Sequence, residues 1–533
     1  MEASDQPHPT DAKITHINLH KSECAGLPNA KRTMERMYFL GIDVGTGGTR
    51  ALVIDEHGRT ISSATEDHQA FSSPQIGWAE QDPADWWRAC RIAVSAALAQ
   101  AKLSGEQIAC VGLSGQMHGA VLLDRQDVVI RPALIWCDLR TEKQCRDLTA
   151  QIGRERLVQL TCNPALANFT LTKCLWVREN EPGNWERVRS LLLPKDYIRF
   201  ELTGERAIDV ADASGTLMLD VARRRWSMEM LELVGMDESF LPRLYESSEI
   251  CGQISSLGAA ATGLKIGTPV VAGAGDQAAG AIGMGVVSSG MVSATIGTSG
   301  VVLTATDRPA LDSAGRVHTF CHAVPKRWIV MGVTQAAGLS LRWFRDRFGV
   351  APDQRAETYD ELVAEAAKAN PGCDGLLWAP YLMGERTPHL DPAARAALVG
   401  LTATHTRAQV IRSILEGVAF SLRDTFTIFQ EMSVPVNSVR LGGGGSRSAL
   451  WRQIQSEVYA QPVETVQAEE GAAYGAAILA GVGVKAWSSV DSACKEFLRP
   501  ASHTSPDAQR SAIMETAYTR YRRIYPAMKS IGN

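Results

Sequence analysis

Short apolar runs bounded by Gly, Ser, Thr and Asp alternate along this chain with longer stretches of helical spacing. The first half predicts a hairpin over 41–55, built from apolar runs at 38–44 and 50–55 around a glycine-rich tip. An amphipathic helix over 82–101 follows, opened by Asp-Pro. Buried strands are predicted at 108–113, 121–124 and 270–274, the last ending in Gly-Ala-Gly-Asp. The second half repeats the scheme. It predicts a hairpin from Met291, helices over 334–348 and 407–431, a strand at 438–441, a loop at 442–445 and a helix over 448–459. A small-residue helix over 471–480 closes the series. This is an α/β pattern. At 533 residues the chain exceeds what one core supports, and the domain boundary is expected near 286–292.

The two hairpins read as variants of one device. Between GIDVGTGGTR (41–50) and ATIGTSGV (294–301), Gly45 aligns with Gly297, Thr46 with Thr298 and Gly48 with Gly300. A single tip of this kind reads as an ordinary turn. Two matched tips suggest duplicated domains gripping one polyphosphate, because small residues let backbone N–H groups approach an anion. The first copy carries Asp43 where the second has Thr295, so one side alone brings the carboxylate that a metal-bound phosphate needs. A third loop, LGGGGSRS (441–448), joins a strand to a helix and suits a ribose or phosphate, or is a plain tight turn. Neither a Walker A sequence nor GxGxxG is present, which disfavours P-loop and Rossmann chemistry.

Asp276 is the lone charge between Lys265 and Asp307. It reads as an N-cap, as a general base at a strand end, or as both. SGQMHGAVLLD (114–124) places Gln116, Met117 and His118 on a loop between buried strands, either lining a ligand cleft or turning in solvent. IWCDLR (135–140) offers Trp136 and Asp138 to a sugar, or forms a salt-bridged Asp138–Arg140 loop. His318 and His322 lie in a strand-like run, where their spacing does not suit a metal.

Composition narrows the classes. Apolar content of 45% and charged content of 21% are those of a globular protein, and a net charge of −4 gives no nucleic-acid footprint. The cysteines number 11 and never fall as CxxC, which points to a reducing cytoplasm. The uncharged run 277–306 holds six glycines and alternates like strands, which excludes a membrane span. The polar residues 1–36 are expected to form a disordered extension.

Over 37–525 the chain resembles the FGGY carbohydrate kinases. The resemblance rests on GIDVGTGGT, WAEQDPADWW (78–87), GQMHGAVLLD, LLPKDYIRF (192–200), GAGDQAAGA, IGTSGV, HTFCHAVPKRW (318–328), PYLMGERTPH (380–389), ILEGVAF (414–420) and GGGGSR (442–447). It implies two actin-like, ribonuclease-H-like ATPase domains with an interdomain cleft. Residues 37–288 would bind sugar and phosphate, and 289–525 would bind ATP. The implied activity is ATP- and Mg²⁺-dependent phosphorylation of a sugar. The GQMHG and LLPKDY forms favour D-xylulose over glycerol, gluconate or ribulose.

Carried over, Asp276 is the catalytic base, and Met117 and His118 contact the sugar, with Gln116, Trp136, Asp138 and Gln277 around it. Asp43 lies near the magnesium. Gly45, Thr46, Gly297, Thr298, Gly443, Gly444 and Arg447 fall in phosphate or adenosine motifs. The implied partners are a small sugar and ATP, with neither nucleic acid nor membrane, and a homodimer is the candidate assembly. Gly47, Cys137, Gln277 and the stretch NFTLTK (168–173) depart from the family pattern, and those at 137 and 277 bear on which sugar is read. The alternatives are a kinase for another ketose or polyol and an actin-like ATP-driven switch.

Overall fold

The computed structural model describes residues 36–349, 355, 357–467 and 471–531. The extension expected over 1–36 lies, save for Arg36, outside the described residues.

Two seven-stranded sheets organise residues 37–531. Strands Thr60–Asp67, Gly48–Asp55, Tyr38–Val44, Ile108–Gly115, Pro269–Val271 and Ile250–Gln253 run side by side in the first, and Ala274–Gly275 also pairs with Ile108–Gly115. The second runs Trp328–Thr334, Gly300–Thr306, Met291–Ile296, Ser438–Gly443, Val463–Val466 and Pro500–Thr504, with His318–Cys321 added on the outer edge of Trp328–Thr334. The pairing directions match strand for strand. In both sheets two antiparallel contacts are followed by two parallel ones and a final antiparallel one. The duplication read from the two hairpins is therefore a duplication of whole sheets.

Local chemistry accounts for the elements that position the site. Tyr38–Val44 is almost wholly buried, covered on both faces as the central strand of a mixed sheet. Helix Pro83–Ala101 starts where predicted, because the Asp82 carboxylate accepts the Ala84 N–H at 2.9 Å and Pro83 needs no donor partner. Its buried Trp86, Cys90, Ala93 and Ala97 recur at helical spacing and pack on the first sheet. Helix Arg407–Glu431 has its predicted bounds and is capped reciprocally by Thr406 and Gln409.

Three expectations need correction. Residues 334–337 are not helical: Thr334 ends strand Trp328–Thr334, and the helix begins at Gly338. Asp276 is the first residue of helix Asp276–Gly283 rather than its cap, since Gly275 holds that position and no side chain caps it. The two hairpin tips also differ by one residue. Val44 pairs with Thr49 in the first, whereas Ile296 pairs with Gly300 in the second.

The packing does not follow the cut at 288/289. Helix Gly471–Gly483, late in the chain, lies on the first sheet and on helix Asp276–Gly283 at backbone contact. A Cβ at Gly41 would meet Ala473 O at 2.0 Å, one at Gly112 would meet Ala476 O at 2.0 Å, and one at Gly475 would meet Ala279 O at 1.9 Å. Only glycine permits so close an approach. Among the described residues no helix is long and apolar enough to cross a membrane.

Candidate active site

A cavity of about 1040 Å³ opens between the two sheets. Asp43, Asp276 and Gln277 line it from the first half of the chain, and Gly297, Gly443, Gly444 and Arg447 from the second. Asp43 pairs with Ser114 in the ladder, and Ala274 pairs with the same Ser114 from the other side. The carboxyl-bearing ends of two strands thus flank one strand at the same end of the sheet, the usual ligand edge of an α/β unit.

The two carboxyls are electrostatically unlike ordinary surface acids. Burial raises the pKa of Asp43, against the opposing pull of Ser114 and Arg50. Its Oδ1 is buried and has no hydrogen-bond partner. Such an orphaned oxygen is costly unless a cation or donor completes it. Asp276 is pushed up to about 7, first by burial and then by the charge of Asp43, while its neighbour Gln277 pulls it down. Gln277 Nε2 donates to Asp276 Oδ1 at 3.3 Å.

The glycine loops supply donors unequally. The N–H of Gly45 closes its own turn on Gly48 O at 3.0 Å, and that of Gly297 closes on Ser299 O at 3.0 Å. These two glycines are therefore not the anion donors that their motif suggested. The N–H groups of Thr46, Gly47, Thr298 and Ser299 make no backbone hydrogen bond among the described residues, and they form the free tips. Gly443 has φ 71°. A Cβ there would fall 2.4 Å from Ile296 O, so the nucleotide loop is bare by necessity at this point.

The remaining expected site residues lie around the first hairpin, outside the lining of the large cavity. Trp136 donates its indole N–H to Thr46 Oγ1 at 2.8 Å. Gln116, expected at the sugar, instead ties the tip from below. Its Nε2 donates to Gly45 O at 3.3 Å and to Gln81 Oε1 at 3.0 Å. Asp138, also expected at the sugar, is fully buried and fully used. Oδ2 accepts the Ala79 N–H at 2.6 Å and Oδ1 the Arg140 N–H at 3.1 Å, while the Arg140 guanidinium pairs with both oxygens. The salt-bridged Asp138–Arg140 loop is present, and Asp138 is a strut of the loop that carries Trp136. Met117 and His118 are buried at the end of strand Ile108–Gly115. His118 sits in the left-handed region at φ 67°, which costs an L-residue about 1–2 kcal/mol. Burial holds its imidazole neutral, with the pKa lowered to about 3.

Gln81 is a part that sequence reasoning missed. Its Nε2 holds Thr46 O at 2.8 Å, and its Oε1 accepts from both Trp86 and Gln116. It stands within WAEQDPADWW, one residue before the helix cap Asp82. Arg342, which reaches Thr298 Oγ1 at 3.3 Å, carried no signal in the chain.

Duplicated sheets, matched phosphate-type hairpins and paired acids at one sheet end define a two-domain phosphotransferase. The chain belongs to the FGGY family of carbohydrate kinases: the family's N-terminal domain matches residues 38–283 and its C-terminal domain residues 292–484. It is similar to the xylulose kinase of Bacillus subtilis (strain 168), at 37% identity over 495 residues, 93% of this chain and 98% of that protein. It is also similar to the xylulose kinase of Escherichia coli (strain K12), at 38% identity over 488 residues, covering 91% and 98%. The crystal structure of a xyloylose kinase from Brucella ovis superposes with a TM-score of 0.86 at 36% identity, covering 93% of this chain and all of the other.

Proposed function

We propose that the protein transfers the γ-phosphoryl group of ATP to the primary hydroxyl of D-xylulose, giving D-xylulose 5-phosphate. The observation that carries this reading is Asp276, a carboxyl with its pKa raised to about 7 in a cavity that Asp43 and the glycine loops at Gly297 and at Gly443 and Gly444 also line. A base so tuned accepts a hydroxyl proton at neutral pH. The similarity to proteins named xylulose kinase supports the choice of sugar.

Phosphoryl transfer is loose, so positioning and charge neutralisation dominate its catalysis. Asp276 takes the hydroxyl proton late, and the Gln277 amide keeps its carboxylate oriented. The tips at Thr46 and Thr298 offer backbone donors to the phosphates from opposite sides. Gly443, Gly444 and Arg447 form the adenosine side. Met117, His118 and Trp136 face the sugar. Residues 37–288 carry the sugar and phosphate functions and 289–525 the ATP function, apart from the helix Gly471–Gly483 that packs across. Asp43 would hold Mg²⁺, and its orphaned Oδ1 fits a hard cation. When bound, that ion neutralises phosphate charge. All ten described cysteines are free, which supports a cytoplasmic setting.

The test is ADP release with ATP and a panel of D-xylulose, D-ribulose, L-ribulose, L-xylulose, glycerol, erythritol and gluconate. D-xylulose should give the highest kcat/KM. If no sugar raises ADP release above its basal rate, the kinase reading falls and an ATP-driven switch replaces it.

A further inference from the structure

A histidine held at positive φ inside a protein needs partners that fix it there. The His118 carbonyl oxygen has two. Lys173 Nζ donates to it at 2.8 Å and Thr170 Oγ1 at 3.2 Å. Both donors come from helix Thr170–Asn180, in the NFTLTK stretch. Lys173 is fully buried, and its second bond goes to Asn168 O at 2.5 Å. Its partners are therefore backbone carbonyls, and no carboxylate among the described residues lies within ion-pair distance. Burial lowers its pKa to about 7, only partly countered by the more distant Asp138. Burying an amine without an acid to pair it is expensive. A purely structural role would be filled better by an apolar side chain.

The opposite side of His118 fixes its chemistry. Nδ1 lies 2.9 Å from Gly215 O. A carbonyl only accepts, so Nδ1 carries the ring proton of the neutral imidazole. Nε2 is left as a lone-pair acceptor that pairs with no described residue. Phe169 packs edge-on against the ring at 4.9 Å and limits its rotation.

We propose that Lys173 is a positioning residue of the sugar site: it grips the His118 carbonyl and so holds the left-handed backbone that presents Nε2, as an acceptor, to one hydroxyl of the ketose. This rests on the reading of His118 as a sugar contact.

The test compares Lys173→Met, Thr170→Val, His118→Ala and the double variant Lys173→Met/His118→Ala, with KM measured separately for D-xylulose and ATP. Lys173→Met should raise the sugar KM at least about tenfold, leave the ATP KM within about twofold, and flatten the sugar ranking as His118→Ala does. Thr170→Val should move the sugar KM in the same direction by less. The double variant should be no worse than His118→Ala alone, because both changes remove one contact. Effects that multiply in the double variant overturn the proposal, as does a wild-type sugar KM in Lys173→Met while His118→Ala is impaired. A wild-type ranking in His118→Ala overturns the underlying reading of His118 instead. If Lys173→Met does not fold, the same cycle between Thr170→Val and His118→Ala decides, with multiplying effects again against the proposal.

Discussion

Asp43 and Asp276 act on each other across one strand: Asp43 lies in the strand on one side of Ile108–Gly115, Asp276 directly follows the strand on the other, and the charge of Asp43 helps to lift Asp276 to a pKa of about 7. The pair places a carboxyl titration in the physiological range without a histidine, as the proposed base requires.

Asp276→Asn should lower kcat by about 10²–10⁴-fold, with sugar binding retained. Calorimetric titration with D-xylulose alone separates the two effects. Turnover at the wild-type level would remove Asp276 from the mechanism.

The same acid gives two pH dependences. Catalysis should fall as pH drops through about 7, because Asp276 must be ionised to accept a proton. In the residual activity of Asp43→Asn that acid limb should shift to lower pH, since a like charge has been removed. Stability runs the other way. A raised carboxyl pKa means that the folded state binds more protons than the unfolded one between the ordinary aspartate value of 3.8 and about 7, so stability falls as pH rises through that window. Asp276→Asn should therefore melt higher than the parent at pH 8, and the gain should vanish near pH 4. An equal difference at both values would contradict the assignment.

Asp43→Ala should weaken Mg²⁺-dependent ATP use more than sugar binding. Magnesium titrations at fixed ATP read this directly, and an unchanged Mg²⁺ dependence would exclude Asp43 as the holder of the ion.

Two neighbouring glycines should behave differently. Gly443→Ala forces a side chain into positive φ and onto Ile296 O, which costs about 1–3 kcal/mol and should lower the melting temperature. A Cβ at Gly444 has no protein atom closer than 4.0 Å, so Gly444→Ala should melt normally yet raise the KM for ATP. Equal melting of the two variants would argue against the loop geometry.

His118→Ala should flatten the sugar ranking as well as slow the enzyme. A site that hydrogen-bonds each hydroxyl discriminates by about 10⁴-fold or more, and apolar contacts give far less. A preserved ranking, measured as kcat/KM over the panel, would mean that the sugar is read elsewhere.

Much of this molecule could be read from the chain, where local chemistry decides the outcome. Helix Arg407–Glu431 kept its bounds because its periodicity and its capping residues lie within the segment. Asp276 stood out because a single charge in a long neutral stretch needs a reason. The misreadings arose where a distant partner decides. The fate of Asp138 depends on Ala79, 59 residues away. The carbonyl of Thr46 is held by Gln81, and that of His118 by Lys173, pairings that the stretches WAEQDPADWW and NFTLTK do not disclose. The one-residue difference between the hairpin tips is set by strand pairing, to which aligned glycines are blind.

The glycine seam under helix Gly471–Gly483 bears on how this chain can be divided. The two halves look alike, and severing them near residue 288 would yield one fragment for each sheet. The first fragment would lack the late helix that covers Tyr38–Val44 and Ile108–Gly115, and its central strands would meet water on that face. The second would carry that helix with no surface to lie on. Expressed separately, neither piece should fold, whereas the two together should reassemble only through contacts that tolerate no added methyl group. The repeat is thus not modular in folding: the enzyme's two sheets are joined into one folding unit by a strip of backbone.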